Sequence, residues 1–326
     1  MFAIGQSYNR PIFPPNSTWN QNATTVANNF TIGSYPWALY IDMNNSIYTI
    51  NRDNGQILIW MNNFNDPNLI LYTQLSSDAY TIFVTTNRQI YVGDNSSIKS
   101  NSFSNKTIEI SNVSSLYING LFVDMNNTLY CSIDGQHKVV KKSLNDSSST
   151  MITVAGTGSW SSASNMLNRP YGIFVDTNFD LYIADCFNHR IQLFRLGETN
   201  GITVAGNTSA NLTIELLYPS NVILDGNKYL FITDGDNHRI IGSDENGFRC
   251  IVACSNSSGS TSNQLSYPRS IAFDSFGNLF VADQANNRIQ KFYLDVIITT
   301  TTTTTIVNES KSFKEKFKKR KKFCFY

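Results

Sequence analysis

Six units tile almost the whole 326-residue chain in a single register, and a chain that repeats itself in this way folds as an array of like pieces. Three of the units are nearly the same in wording. Arg169 to Phe194 reads RPYGIFVDTNFDLYIADCFNHRIQLF, Tyr218 to Ser243 reads YPSNVILDGNKYLFITDGDNHRIIGS, and Tyr267 to Phe292 reads YPRSIAFDSFGNLFVADQANNRIQKF. Each keeps a proline six residues before an anchor aspartate (Asp176, Asp225, Asp274) and an aromatic residue six after it. Carried backward, the template finds Pro36, Asp42 and Tyr48, then a degraded unit with Thr85, Tyr91 and Asp94, then Asp124, Tyr130 and Asp134.

A unit of this length is too long for one hairpin and suits four short strands, the size of a propeller blade. Gly172 to Val175 is a continuous apolar run, as an innermost strand covered on both faces requires. Leu181 to Ala184 runs back after a turn, His189 to Phe194 alternates polar with apolar, and Ile202 to Gly206 repeats the Ile-Thr-Val-Ala-Gly of Ile152 to Gly156. No unit holds the 3.6-residue period of a helix. The expected fold is therefore all-β, a six-bladed propeller with four antiparallel strands per blade. The last unit lacks a fourth strand, and Ala23 to Asn28 carries that strand's wording before the first anchor. The N-terminus is thus expected to complete the sixth blade and remove the exposed edge of an open array. The domains read as an extension over 1–22, a ring over 23–294, a Thr-rich linker over 295–310 and a basic, aromatic tail over 311–326.

Charge is divided unequally between these parts. Eight basic residues fall between Lys311 and Lys322, which leaves residues 1–308 with 17 basic and 22 acidic side chains. Such a body does not draw a phosphate backbone, so nucleic acid or anionic lipid is a partner for the tail alone. No 18-residue apolar stretch offers a membrane span. The first ten residues lack a basic start and an apolar core, which favours a cytoplasmic location over secretion. Of the five cysteines, Cys250 and Cys254 lie four apart in an expected strand, about 13 Å at the usual rise, too far for a disulfide. Free thiols are expected.

The strings ADCFNHRIQLF, TDGDNHRIIGS and ADQANNRIQKF, each downstream of the Pro-to-Asp segment, resemble the NHL-repeat family. The resemblance implies a six-bladed propeller, often a binding platform appended to other domains; the ring itself is expected to be monomeric. Relatives of this kind include ubiquitin-ligase substrate modules, RNA-binding proteins and a metal-dependent peptide-amidating lyase, so the fold alone does not choose among them.

Positions that recur in every blade are explained by what every blade needs. Asp176, Asp225 and Asp274 read as turn formers, because an Asp side chain bonds backbone amides two residues on. Asp185, Asp234 and Asp283 order the next hairpin, within reach of Arg190, Arg239 and Arg288. His137, His189 and His238 recur 13 residues after their anchors. Equivalent points on stacked sheets lie about 10 Å apart, whereas zinc ligands approach within about 2.0–2.1 Å. The histidines are therefore read as structural, with no metal and no cofactor expected. No nucleophile, phosphate-loop or metal motif is found, so the chain reads as non-enzymatic.

Function should concentrate where blades differ. The position after the recurring proline reads Trp37, Tyr80, Asn119, Tyr171, Ser220 and Arg269 in blades one to six. It precedes the innermost strand and should ring one mouth of the central channel. Exposed Trp, Tyr and Arg there are the types enriched at binding hot spots. The expected role is a scaffold that binds a protein or peptide at this mouth.

Overall fold

The apolar run before each anchor forms the innermost strand of a sheet. In blade 4, Pro170–Val175, Leu181–Asp185, Arg190–Phe194 and Ile202–Gly206 pair antiparallel in that order. Blade 5 is built likewise from Pro219–Leu224, Leu230–Asp234, Arg239–Asp244 and Gly247–Val252. Blade 1 (Leu39–Ile41, Ile47–Asn51, Gln56–Trp60, Leu69–Tyr72) and blade 3 (Ile118–Val123, Thr128–Ile133, Lys138–Ser143, Ile152–Ala155) follow the same order. The computed structural model describes residues 8–61, 67, 69–72, 75–101, 117–146, 150–209 and 213–295. Blade 2 shows Thr81–Val84, Ile90–Gly93 and Ile98–Asn101 among them, and its expected fourth strand falls on 102–116, outside the described residues.

The ring closes through its N-terminal strand. Thr24–Ala27 pairs antiparallel with Arg288–Phe292, with Thr24 opposite Lys291 and Ala27 opposite Ile289, and so completes the sheet of Pro268–Phe273 and Leu279–Asp283. A single helical turn, Asn29–Ile32, capped by the Asn28 side chain, leads from this strand into blade 1. Among the described residues no helix is long and apolar enough to cross a membrane. The ring lies in one compact unit, Met1–Asp295. The expected Thr-rich linker and basic tail, with the lipid or nucleic-acid contacts assigned to the tail, fall beyond residue 295, outside the described residues.

Small residues set how closely the innermost strands converge. A Cβ on Gly120 would lie 2.5 Å from the carbonyl oxygen of Tyr171 in the next blade, so only glycine fits there. Blade 3 is instead tied to that same oxygen by the Ser132 hydroxyl at 2.6 Å. At the far end of each inner strand the anchor makes the turn. Asp176 Oδ1 accepts the amides of Asn178 and Asp180, Asp225 Oδ1 those of Asn227 and Tyr229, and Asp274 Oδ1 those of Phe276 and Asn278. Asp42 and Asp124 do the same, and Thr85 substitutes its hydroxyl by accepting from Gln89.

Residues 8–22 pack into the ring. Tyr8 meets Phe122 and Phe174 edge-on at 5.2 and 5.3 Å and Phe83 at 6.4 Å. The Asn9 amide donates to the carbonyls of Asp42 and Phe273, and Arg10 donates to that of Asp225. Three consecutive side chains therefore engage all six blades at their anchor end. Further on, Phe13 and Trp19 are buried against Phe231 and Phe273, and Trp19 Nε1 donates to Gly277.

One sequence expectation is overturned. Cys250 and Cys254 form a disulfide with a Cα separation of 5.7 Å. The estimate of about 13 Å assumed that the strand continued; it ends at Val252, and Ala253 at φ 58° folds the chain back. Cys131 and Cys186 are free and buried.

Candidate functional site

The six variable positions converge on one central cavity of about 100 Å³, and Trp37, Tyr80, Asn119, Tyr171, Ser220 and Arg269 all line it. They sit at the starts of the six inner strands, opposite the end that Tyr8 and Asn9 cross. Tyr8 and Asn9 thus line the cavity from the anchor end. Its depth is apolar, with Phe83, Phe122 and Phe174 packed in sequence around Tyr8.

At the mouth the side chains pack on one another. Trp37 lies 4.9 Å from Tyr80 and 6.1 Å from Tyr171, centroid to centroid. The Arg269 guanidinium sits 4.6 Å over Trp37 and 5.9 Å over Tyr171, and Arg52 covers Tyr80 at 5.0 Å. Cation–π stacking of this kind fixes both partners. It also corrects the expectation of freely exposed hot-spot residues: Trp37, Tyr80, Tyr171 and Arg269 are half-buried. Ser220 is buried, its hydroxyl donating to the Pro268 carbonyl, and Asn119 donates to Asp134 at 3.2 Å. Ser220 is thus the one buried position of the six; the other five are half-buried, with Tyr80, Asn119 and Arg269 each hydrogen-bonded to a neighbour as well.

The chemistry of the lining is narrow. Arg269 is the one charged side chain among the lining residues, and no Asp, Glu, His or Cys is among them. Its Nε donates to Gln284 Oε1 at 2.9 Å, and among the described residues no acceptor holds its two terminal nitrogens. Burial pushes the Tyr8 and Tyr171 hydroxyls well above the ordinary range, and that of Tyr80 up to about 12. These phenols stay protonated and donate hydrogen bonds rather than take protons.

The recurring residues form latches around the mouth. Asp185 Oδ1 accepts the Asn168 amide, while its Oδ2 receives Asn188 and Arg190, the latter at 2.7 Å. Arg190 then donates to the carbonyls of Ser162, Ala163 and Met166 in the loop entering the same blade. Asp234 with Arg239, at 2.8 Å, and Asp283 with Arg288, at 2.6 Å, repeat the arrangement in blades 5 and 6. Burial pushes these three carboxyls up, and the backbone, Asn and Arg donors pull them down.

Each histidine joins one blade to the next. His137 Nδ1 accepts the Arg169 amide at 3.1 Å, His189 that of Tyr218 at 3.1 Å, and His238 that of Tyr267 at 3.2 Å. Asn287 does the same for Tyr35 with its side-chain oxygen, 2.8 Å away. All four acceptors stand in the left-handed region, between φ 49° and 55°. The rings of Tyr218 and Tyr267 then pack edge-on against His189 and His238 at 4.4 and 4.6 Å. Among the described residues no three His, Cys, Asp or Glu side chains come together as a metal site would need.

Two features of the site escaped the sequence reading. The register two residues before the anchor runs Tyr40, Phe83, Phe122, Phe174, Ile223, Ala272, and all six, four of them aromatic, line the channel. The signal was present as a second variable register. The seat of Tyr8 left no such mark, because the segment lies outside every repeat.

Residues 265–292 match the NHL repeat family model. The sixth blade carries an NHL repeat, within a six-bladed propeller. No curated protein matches the chain. Among solved structures, a protein of unknown function from Bacteroides thetaiotaomicron VPI-5482 aligns with a TM-score of 0.66 at 12% identity, over 84% of this chain and 76% of that one. An auxiliary nutrient binding protein from the same organism gives 0.61 at 15% identity, over 90% and 76%. A virginiamycin B lyase from Staphylococcus aureus gives 0.59 at 10% identity, over 86% and 100%. At these identities the likeness is one of fold.

Proposed function

We propose that this NHL-repeat propeller is a non-enzymatic binding module that receives a segment of a protein or peptide at the channel mouth. The observation that carries the reading is the convergence of the non-repeating register on one cavity, where Trp37, Tyr80, Tyr171 and Arg269 present half-buried aromatic and cationic surface. Large rigid side chains of these types supply contact area at small entropic cost. A cavity of about 100 Å³ suits one side chain rather than a large cofactor.

Catalysis at this cavity would need a general acid, base or nucleophile. Its lining offers phenols held protonated by burial, a guanidinium, and the hydroxyls of Thr81, Ser220 and Ser270 with no His or carboxylate among the lining residues to activate them. The lyase among the structural neighbours therefore lends this chain its shape and not its chemistry.

Photo-crosslinking tests the reading. A photoreactive phenylalanine analogue replacing Tyr80 is expected to capture the bound partner, and the same analogue replacing Phe276, exposed at the anchor end, is not. Equal capture from both positions, or capture from 276 alone, would place the docking face elsewhere.

A further inference from the structure

Resting on that reading of the mouth, we infer that the group the channel selects is a carboxylate borne on an apolar body, with Arg269 as its anchor. The first observation is a charge imbalance. Arg269 is the single ionised side chain in a lining that is otherwise aromatic, aliphatic or neutral polar, and no acid in that lining neutralises it. Arginines in such half-buried places ordinarily pair with a carboxylate, as Arg190, Arg239 and Arg288 do here at 2.6–2.8 Å. Arg169, next to the mouth, also has its acid, Asp134 at 3.5 Å. Arg269 has instead a neutral partner, Gln284, on its Nε.

The second observation is the free donor edge. The Arg269 guanidinium carbon lies 4.6 Å from the Trp37 ring and 5.9 Å from that of Tyr171, its Nε is taken by Gln284, and among the described residues no acceptor holds its two terminal nitrogens. A planar fork held in this way matches a carboxylate with two parallel hydrogen bonds. The third is the shape below it. The channel below it is walled by Phe83, Phe122, Phe174 and the Tyr8 ring, with the Asn9 amide beside them and no acid among the lining residues. An occupant with one ring or a branched chain fills about 100 Å³ and leaves its carboxylate at the level of Arg269. The body outside is acidic, so the attraction is local to the mouth and not a general pull on anions.

Two sources supply this chemistry: a free small acid, or the C-terminal carboxylate of a chain ending in an apolar residue. Calorimetric titration of the full chain with phenylacetate and with phenylacetamide tests the charge. A short peptide ending in Phe, with a free or an amidated terminus, tests the source. Each acid is expected to bind at least about tenfold more tightly than its amide, the value of a hydrogen bond to a charged group. In Arg269→Gln the preference should vanish, while Arg269→Lys should keep part of it. Tighter binding of the free-terminus peptide than of phenylacetate supports a chain terminus, and the reverse order supports a small acid. Acids and amides that bind alike, with both lost in Trp37→Leu, overturn the carboxylate and leave the docking face standing. Binding unchanged in Trp37→Leu, or no binding by any of the four probes, overturns the proposal.

Discussion

One register supplies the acceptor that joins blades at four of their junctions. His137, His189, His238 and Asn287 differ in chemistry yet offer the same thing, a neutral acceptor on a residue that tolerates a left-handed backbone. His189→Asn is therefore expected to melt within about 0.5 kcal/mol of the unaltered chain. His189→Ala should cost about 1–3 kcal/mol, because it leaves the Tyr218 amide unpaired and strains an alanine at positive φ. Equal losses in both variants, measured by denaturant unfolding, would show that the acceptor is not what matters. The same contact makes stability depend on pH. Burial, with help from Arg169, lowers the His137 pKa in the folded state. The neutral form is thus favoured by folding, and its contribution is complete above the ordinary histidine value of about 6.5 and lost as pH falls through the folded value. His137→Asn should flatten that part of the stability profile, and an unchanged profile would count against the contact.

At the scale of the strand and hairpin, the repeated Asp–Arg pair is both structure and restraint. Arg190 is 2% exposed and Asp185 fully buried, and between them they hold a strand end, a tight turn and the loop entering the blade. Arg190→Met should cost about 3–5 kcal/mol, since it strands a buried carboxylate. A loss below about 1 kcal/mol in the melting equilibrium would mean that water replaces the guanidinium. Strands, turns and closing strand were legible in the sequence because each rests on a local pattern: apolar runs, Asp at the turn, and the Thr-Val-Ala word displaced to the N-terminus. The Cys250–Cys254 bridge was not, since it depends on where one strand stops and on the left-handed turn at Ala253, which spacing does not encode. Asp134 stands ten residues after its anchor, where Asp185, Asp234 and Asp283 stand nine after theirs, and the consequence of that shift was not legible. Asp134 takes Arg169 from the next blade and Asn119 from its own, which commits one of the six mouth positions to structure.

At the largest scale, the two ends of the ring differ. Its anchor end is crossed by Tyr8, Asn9 and Arg10, while its other end opens where the blades differ. The N-terminal segment reads as an extension in sequence because it follows no repeat, yet Trp19 is 2% exposed within the core around Phe231 and Phe273. Trp19→Ala should cost about 3–5 kcal/mol, far more than truncation within a free extension. A melt displaced by less than about 0.5 kcal/mol would separate this segment from the fold. The mouth itself was found by asking which register fails to repeat; its mutual stacking was not, because contacts across the channel join residues from four blades. The most direct measurement is the affinity of the double variant Trp37→Ala, Tyr171→Ala for the partner that the unaltered ring binds, with Phe276→Ala as the control at the other end. The mouth variant is expected to bind at least about thirtyfold more weakly while still folded, with Phe276→Ala unchanged; equal affinity in all three proteins would contradict the assignment of this face.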